Sequence, residues 1–577
     1  MYARKHPRMR RASRLFGLAM ILGMTVALTA SVDTGPAQAA GARGAARTAR
    51  TARAARVKAW RAYVANQLGN SVSPINTVTN APGTPITVGS APTYIAITPN
   101  GTAAYVMNLN DGTVTPIDTA TKTPGPPITV GKAGSGPGAI AITPNGTTAY
   151  VVTVNSVTPI DLATNTAETP ITVGLTPGEI AITPNGATAY VTDPSDNAVT
   201  PIDIATNTAG TPIPTVDTTP TAIAITPNGA TAYVTDTAGN SVTPIDTATN
   251  TAGTPIRVGS SPEAIAITPN GATAYVVNVG VVPNSPGTVT PIDTATNTPG
   301  PPITVGILPF AIAITPNGAS AYVTNFECTT SRFMPTCPPP TPDDNSVTPI
   351  DTATNTAETP IPVGAGPIAI SITPDQAPVA HLSAAPAEAG QPTGFDASAS
   401  TVAVGTITTY AWDFGDGTTA TTSTPTTTHT YATPGPYTAT VTETDSAGTS
   451  TTQVFTGQTM SNNGGPSAVA SQNFTVVPPL AIATSSLPGG SVWSRTNKVT
   501  YSATLAATGG NPPDRWSLAA GSSPLPPGLK LKKSTGVISG KATTTGTYSF
   551  TLQVADTKIG KPKRQNTATA TLSILIS

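Results

Sequence analysis

Short apolar runs separated by turn residues dominate the chain, and between residues 62 and 376 they recur in a fixed order. Each unit reads Ile-Ala-Ile, Ala-Tyr-Val, Val-Thr-Pro-Ile-Asp and Pro-Ile-Thr-Val-Gly, which predicts four short strands with alternating apolar positions. Between the first two strands stands Thr-Pro-Asn-Gly, where Pro presets a turn and Asn-Gly closes a tight hairpin. The segment Ile97-Thr98-Pro99-Asn100-Gly101 returns at Ile142, Ile182, Ile225, Ile267 and Ile314, and Ile372-Thr373-Pro374-Asp375 is a final variant. The second strand centres on Tyr63, Tyr105, Tyr150, Tyr190, Tyr233, Tyr275 and Tyr322, at spacings of 40 to 47 residues.

Four short strands at this period are the signature of a propeller blade. The N-terminal copy begins at its second strand and the C-terminal copy stops after its first, so the two fragments together complete one blade. The expected architecture is seven blades, closed by one C-terminal strand beside three N-terminal ones, which removes the free edges of an open sheet. Pro116, Pro159, Pro201, Pro244, Pro291 and Pro349 stand inside third strands, where a ladder donor is lost, and predict a regular bulge there. With Tyr322-Val323-Thr324-Asn325 as its name motif, residues 62–376 resemble the YVTN family of β-propellers.

The first-to-second and third-to-fourth turns hardly vary between copies and fall at one end of the blades; the other connections vary and fall at the opposite end. The longest are 278–287 and 325–346. Just after the loop proline at this variable end, Tyr94, Glu179, Glu263 and Phe310 replace small residues. They are the candidate ligand-binding face, since sites gather where loops vary on a rigid scaffold; neutral drift in unimportant loops is the plain alternative. Asp118, Asp161, Asp203, Asp246, Asp293 and Asp351 recur at the start of a turn and are read as turn caps rather than catalytic or metal-binding groups. Residues 62–376 contain no His, and their cations are Lys122, Lys132, Arg257 and Arg332. An enzyme built here would rely on carboxylates alone, so no catalytic residue, metal or cofactor is assigned.

Residues 377–479 contain Tyr410-Ala411-Trp412-Asp413-Phe414-Gly415-Asp416-Gly417, His429-Thr430-Tyr431 and Val441-Thr442-Glu443-Thr444-Asp445. They resemble a polycystic-kidney-disease (PKD) domain, a β-sandwich, which implies that Trp412 is a core residue and that Asp413 and Asp416 hold the Gly-rich turn. Structural calcium on those two carboxylates is the alternative reading. Residues 480–577, with Leu525-Pro526-Pro527-Gly528-Leu529 and Thr535-Gly536-Val537-Ile538-Ser539-Gly540, resemble the immunoglobulin-like module of bacterial surface proteins. The expected fold class is therefore all-β: a seven-bladed β-propeller followed by two β-sandwiches.

Charge then divides the chain. Its 28 basic and 28 acidic residues cancel, but the balance is +5 over 1–39, +7 over 40–61, −15 over 62–376, −6 over 377–479 and +9 over 480–577. The first block has a basic stretch, an apolar run from Leu15 to Ala30 and Ala37-Gln38-Ala39, the pattern of a cleaved signal peptide. The second is an Ala/Arg-rich spacer. Export makes a local disulfide between Cys328 and Cys337 the expected state of the only two cysteines. No segment after the signal is long and apolar enough to span a bilayer, and no aromatic-interleaved basic motif speaks for nucleic acid. The sequence reads as an exported protein, secreted or peripherally attached to the cell surface, binding an extracellular or envelope ligand such as a glycan, wall polymer or protein. The alternatives are a lactonase-like propeller hydrolase or lyase and a purely structural surface-layer component.

Overall fold

The computed structural model describes residues 59–132, 138–280, 285–326, 345–448, 455–457, 460–462, 466–558 and 565–577. The expected signal peptide, nearly all of the basic spacer, Arg332 and the Cys328–Cys337 pair lie outside the described residues. All of the described residues belong to one compact unit, Val57–Ser577.

The chain is all-β, and its repeats form a propeller-like ring. Among the described residues they make seven antiparallel five-stranded sheets. Within a sheet the first strand, such as Pro262–Ile267, pairs with the second, Thr273–Asn278, and that with the third, Pro286–Asp293. First strands of successive sheets touch, and Pro367–Ile372 touches Pro92–Ile97, so the series closes on itself. The closure expected from the incomplete ends is present: Pro367–Ile372 pairs antiparallel with Arg61–Asn66. Where other units have a hairpin, the closing pair joins two segments about 300 residues apart in sequence, side by side. Thr373 N–H donates to the Arg61 carbonyl and Arg61 N–H to Thr373 Oγ1, while buried Trp60 donates from Nε1 to Asp375 Oδ1 at 3.0 Å. The Asp in place of Asn-Gly is thus an acceptor for an indole.

The third-strand proline produces a different irregularity from the one its position predicts. Second and third strands keep unbroken register through Tyr63↔Pro74 and its six equivalents. The fourth strand breaks instead, usually into two pieces of two residues, as in Ala81–Pro82 and Ile86–Thr87. Pro74 points its carbonyl outward, where Gly83 N–H reaches it at 2.7 Å, and its missing donor faces the gap in the outer strand. The lost N–H therefore leaves no partner stranded.

Stacking of the sheets is set by the Ala-Tyr-Val strand, which is fully buried in every unit. Each tyrosine also reaches the next sheet. Tyr105, Tyr150, Tyr190, Tyr233, Tyr275 and Tyr322 donate to Oδ1 of Asn165, Asn207, Asn250, Asn297, Asn355 and Asn80 at 2.6–3.0 Å. These asparagines sit in the third-to-fourth turn at φ of 52 to 55°. Asn suits both demands, since it tolerates the left-handed conformation and supplies the acceptor. The seventh turn carries Lys122, at φ 60°, and Tyr63 reaches only the Thr119 carbonyl, at 3.2 Å. Lys122→Asn is expected to complete the set and add about 1 kcal/mol of stability, read as a higher denaturant midpoint at unchanged m-value.

The turn aspartates behave as caps. Asp246 Oδ1, for example, accepts from Ala248 N, Thr249 N and Thr249 Oγ1, and these bonds hold its carboxyl below the usual range.

A second repeated position lies at the end of the second strand. Asn66, Asn108, Asn278 and Asn325 are buried and donate from Nδ2 to hydroxyls on the third strand, Asn325 to Ser346 at 3.0 Å and Thr348 at 2.8 Å. The Val-Gly glycine packs on this amide: a Cβ on Gly259 would lie 2.6 Å from Asn278 Cγ. Two successive units carry Asp193 and Asp236 here, with Thr200 and Thr243 donating to Oδ2 at 2.5 and 2.6 Å. The other oxygen of Asp236 has no hydrogen-bond partner. Burial raises both carboxyls, Asp236 to about 6.

C-terminal to the ring, a three-stranded sheet (Ser383–Ala385, Pro392–Asp396, Thr426–Thr430) and a four-stranded sheet (Thr419–Thr422, Ile407–Asp413, Gly435–Asp445, Val469–Val476) share a core of Phe395, Trp412, Phe414, Tyr431 and Val441. Trp412 is 2% exposed. Asp413 and Asp416 accept from Gly415 N and Thr418 N, holding the Gly-rich turn as expected. Three further small sheets, closed around Trp516, Ile538, Phe550, Leu552 and Ile574, make up the C-terminal module.

Candidate functional site

The four residues singled out by the repeat comparison come from four different sheets, and all four line one cavity of about 280 Å³. Its walls are the first strands, so it runs along the middle of the ring from the variable end, past Ile140 and Ile370 to Ile372. Tyr94, Glu179, Glu263 and Phe310 are each half-buried.

The backbone explains how they reach it. First strands open with an irregularity just after the proline. The register slips between Pro92 and Tyr94, between Pro262 and Ala264, and between Pro309 and Ile312. Glu263 is itself the extra residue of its bulge, and Phe310 stands within a wider one. Bulges re-aim side chains in this way, and they free backbone N–H groups from the ladder. The freed groups have designated acceptors. Glu179 N, Ala222 N and Ala311 N donate to Thr192, Thr235 and Thr324 Oγ1 at 2.9–3.0 Å. Sequence comparison missed this role; the signal was Thr at the third position of Tyr-Val-Thr, where the Tyr94 and Glu263 units have Met107 and Val277 instead.

The carboxylates are held differently. Glu179 Oε2 accepts from Ile223 N at 3.1 Å, across to the next first strand, Pro220–Ile225, which is the edge strand of its sheet. Burial pushes the Glu179 carboxyl up to about 8, offset in part by this bond, and raises Glu263 to about 7. Their remaining surface faces the cavity rather than open solvent, which is why half-buried groups are so strongly desolvated. Tyr94 is raised by its burial and by the charges of Glu179 and Glu263, which places its hydroxyl within their field and keeps it protonated. Phe310 is fixed edge-on by Phe326, with ring centroids 5.5 Å apart and planes at 75°. Among the described residues the lining includes no Lys, Arg or His.

The arrangement offers two acids raised toward neutrality, a phenol and a second aromatic ring. Once ionised, the two carboxylates make it hostile to anions. Among the described residues no group of three His, Cys, Asp or Glu is arranged to hold a metal ion, and no helix is long and apolar enough to cross a membrane.

Comparison with known proteins covers both ends of the chain unequally. No curated protein matches it. For the ring, similar solved structures include a functionally unknown protein from Desulfotomaculum acetoxidans, 19% identical with a TM-score of 0.46, covering 55% of this chain and 99% of that one. They also include a putative 6-phosphogluconolactonase from Bacteroides fragilis, 15% identical with a TM-score of 0.43 over 55% and 99%. Hydrazine synthase from Kuenenia stuttgartiensis is 22% identical with a TM-score of 0.41 over 49% and 92%. At the C-terminal end, residues 375–459 match the PKD domain family and residues 479–577 match the family described as Putative Ig domain. The chain thus carries a PKD domain and an immunoglobulin-like domain of the Putative Ig family after a propeller-like ring of sheets.

Proposed function

We propose that the protein is an exported, non-catalytic binding scaffold of the cell surface or extracellular matrix. In this reading residues 62–376 are a seven-bladed β-propeller whose variable-end cavity takes the ligand. Residues 377–479 and 480–577 are β-sandwiches that space the propeller from the envelope or hold it there. The convergence of Tyr94, Glu179, Glu263 and Phe310 on one cavity carries the proposal, because it gathers two carboxyl groups and two aromatic rings in a single ligand-sized space. The immunoglobulin-like module supplies the means of attachment. Its strand Leu529–Lys532 lies at a sheet edge with Lys530 and Lys532 exposed, in a segment of net charge +9. Of its two acidic residues, Asp556 is buried and occupied by Asn511 and Asn566. Such a surface suits an anionic envelope polymer.

The test is retention on purified cell envelopes of the chain lacking residues 1–39, across a salt series. Retention that weakens steeply with salt, and more weakly for a Lys530→Glu/Lys532→Glu variant, supports charge-based attachment. Tyr94→Ala and Phe310→Ala are expected to reduce ligand capture by the propeller without altering that salt response. Absence of retention at every salt concentration sinks the surface-binding reading.

One observation favours a second reading. Two carboxylates with raised pKa values in one cavity are the raw material of general acid–base catalysis. Turnover of an extracellular substrate that disappears in both Glu179→Gln and Glu263→Gln would establish the hydrolase or lyase reading in place of the first.

A further inference from the structure

We propose that the cavity at the variable end of the ring binds a small organic cation, an ammonium group carried on an apolar body. The inference rests on the binding-scaffold reading and gives its ligand a chemical class.

Three observations carry it. Two carboxyl groups, Glu179 and Glu263, line one cavity with no basic side chain among its described lining residues. The group that donates to Glu179 is a backbone N–H, that of Ile223, which brings no full positive charge. Buried without a positive partner, the two groups keep their protons; a bound cation is what makes their ionised forms favourable and converts the cost of that charge into attraction. Second, the aromatic residues Tyr94 and Phe310 line the same space, and an ammonium over an aromatic ring gains further attraction when desolvated. Phe310 cannot swing freely, because Phe326 is packed edge-on against it. Third, the walls beyond are aliphatic, Ile140 and Ile370 among them, and the volume of about 280 Å³ sits at the small end of ligand sites. That favours a compact apolar body over a polymer chain or an extended sugar, whose hydroxyls would find aliphatic walls.

Binding is linked to protons. Among the described residues, the titratable groups lining the cavity are Tyr94, Glu179 and Glu263. Burial holds the two carboxyls substantially protonated near neutrality. A cation lowers their pKa values on binding, so binding expels protons and strengthens as pH rises through 7 to 8.

The experiment is calorimetric titration of the full chain lacking residues 1–39 with three probes of similar shape: 2-phenylethylammonium, 2-phenylethanol and phenylacetate. Running it in two buffers of different ionisation enthalpy counts the protons released. The expected order is ammonium tightest, the alcohol weaker by about tenfold or more, and no binding of the carboxylate. Proton release should accompany the ammonium alone. Glu179→Gln and Glu263→Gln should weaken the ammonium by about tenfold each and leave the alcohol unaffected, which also shows that the variants are folded. If the alcohol binds as tightly as the ammonium, or if both Gln variants bind the ammonium like the parent, the cation inference fails while a neutral-ligand cavity survives. If none of the three binds, the inference fails on the parent protein alone. The envelope assay with Tyr94→Ala then decides separately whether the scaffold reading stands.

Discussion

Replacing Tyr322 by alanine is expected to cost about 3–5 kcal/mol and to open the ring at its closing sheet. The side chain is 1% exposed and belongs to the cluster that includes Trp60, Val64, Ile370 and Ile372, residues from both sides of the closure. Its hydroxyl donates to Asn80 Oδ1 at 2.7 Å and to the Thr77 carbonyl at 3.1 Å, ties from the last full sheet to the N-terminal hairpin. The closing strand and its partner meet without a hairpin between them, so side-chain packing supplies the local link that a turn supplies elsewhere. Tyr190→Ala, equally buried but in the middle of the series, is the control. Both variants should lower the unfolding midpoint. Hydrogen exchange at Arg61–Asn66 should accelerate in the Tyr322 variant alone, through opening of the closing sheet below the global unfolding energy. Tyr322→Phe, which leaves the ring and strands Asn80 Oδ1, should cost about 1 kcal/mol. Equal exchange at Arg61–Asn66 in both alanine variants would show that the closure needs no such tie.

Asp236→Asn is expected to stabilise the protein at pH 7 by about 3 kcal/mol and to do nothing at pH 4. Burial, ahead of the opposing Thr243 bond and the nearby Asp217 charge, lifts the folded carboxyl from 3.8 to about 6. The native state therefore holds its proton more tightly than the unfolded chain. Asp236 contributes fully below about pH 4, and that contribution is lost as pH rises to about 6, beyond which both states are ionised. Asparagine removes the titration, and four other units show that it fits. In the Asn325 unit the amide donates to Thr348 at 2.8 Å, the reverse of the hydroxyl-to-carboxylate bond of Thr243. The difference in unfolding free energy between variant and parent should grow between pH 4 and 6 and then level. A difference that stays constant over that range would mean the carboxyl titrates normally in the folded protein. Asp193→Asn should act in the same direction.

The architecture was largely legible because it is written several times over. Repetition exposed the strands, the hairpins and the split unit at the ends, and copy-to-copy differences exposed Tyr94, Glu179, Glu263 and Phe310. What repetition hid is equally physical. A proline present in every third strand could not reveal which side of the strand its missing donor faced, and the irregularity proved to belong to the outer strand. The bulges that turn Glu263 and Phe310 inward depend on register, which alternation alone does not specify around a slip. The tyrosine ties depend on contacts between neighbouring sheets, although the one lysine among the turn asparagines, Lys122, was visible as an exception. Neither Ile223 N–H nor its bond to Glu179 could be read from residue types at all.

The broken outer strands have a consequence for how such molecules can be crowded. Any sheet that ends in a long regular strand offers its unpaired backbone to the next molecule, and a chain of near-identical units would offer it repeatedly around one circumference. Here an approaching strand finds mostly pairs of residues interrupted by a loop, with Pro82, Pro124 and Pro299 among the outward positions. Two ladder positions are too few to hold a foreign strand. Even when crowded, neighbouring copies can press rim to rim and still part as separate molecules.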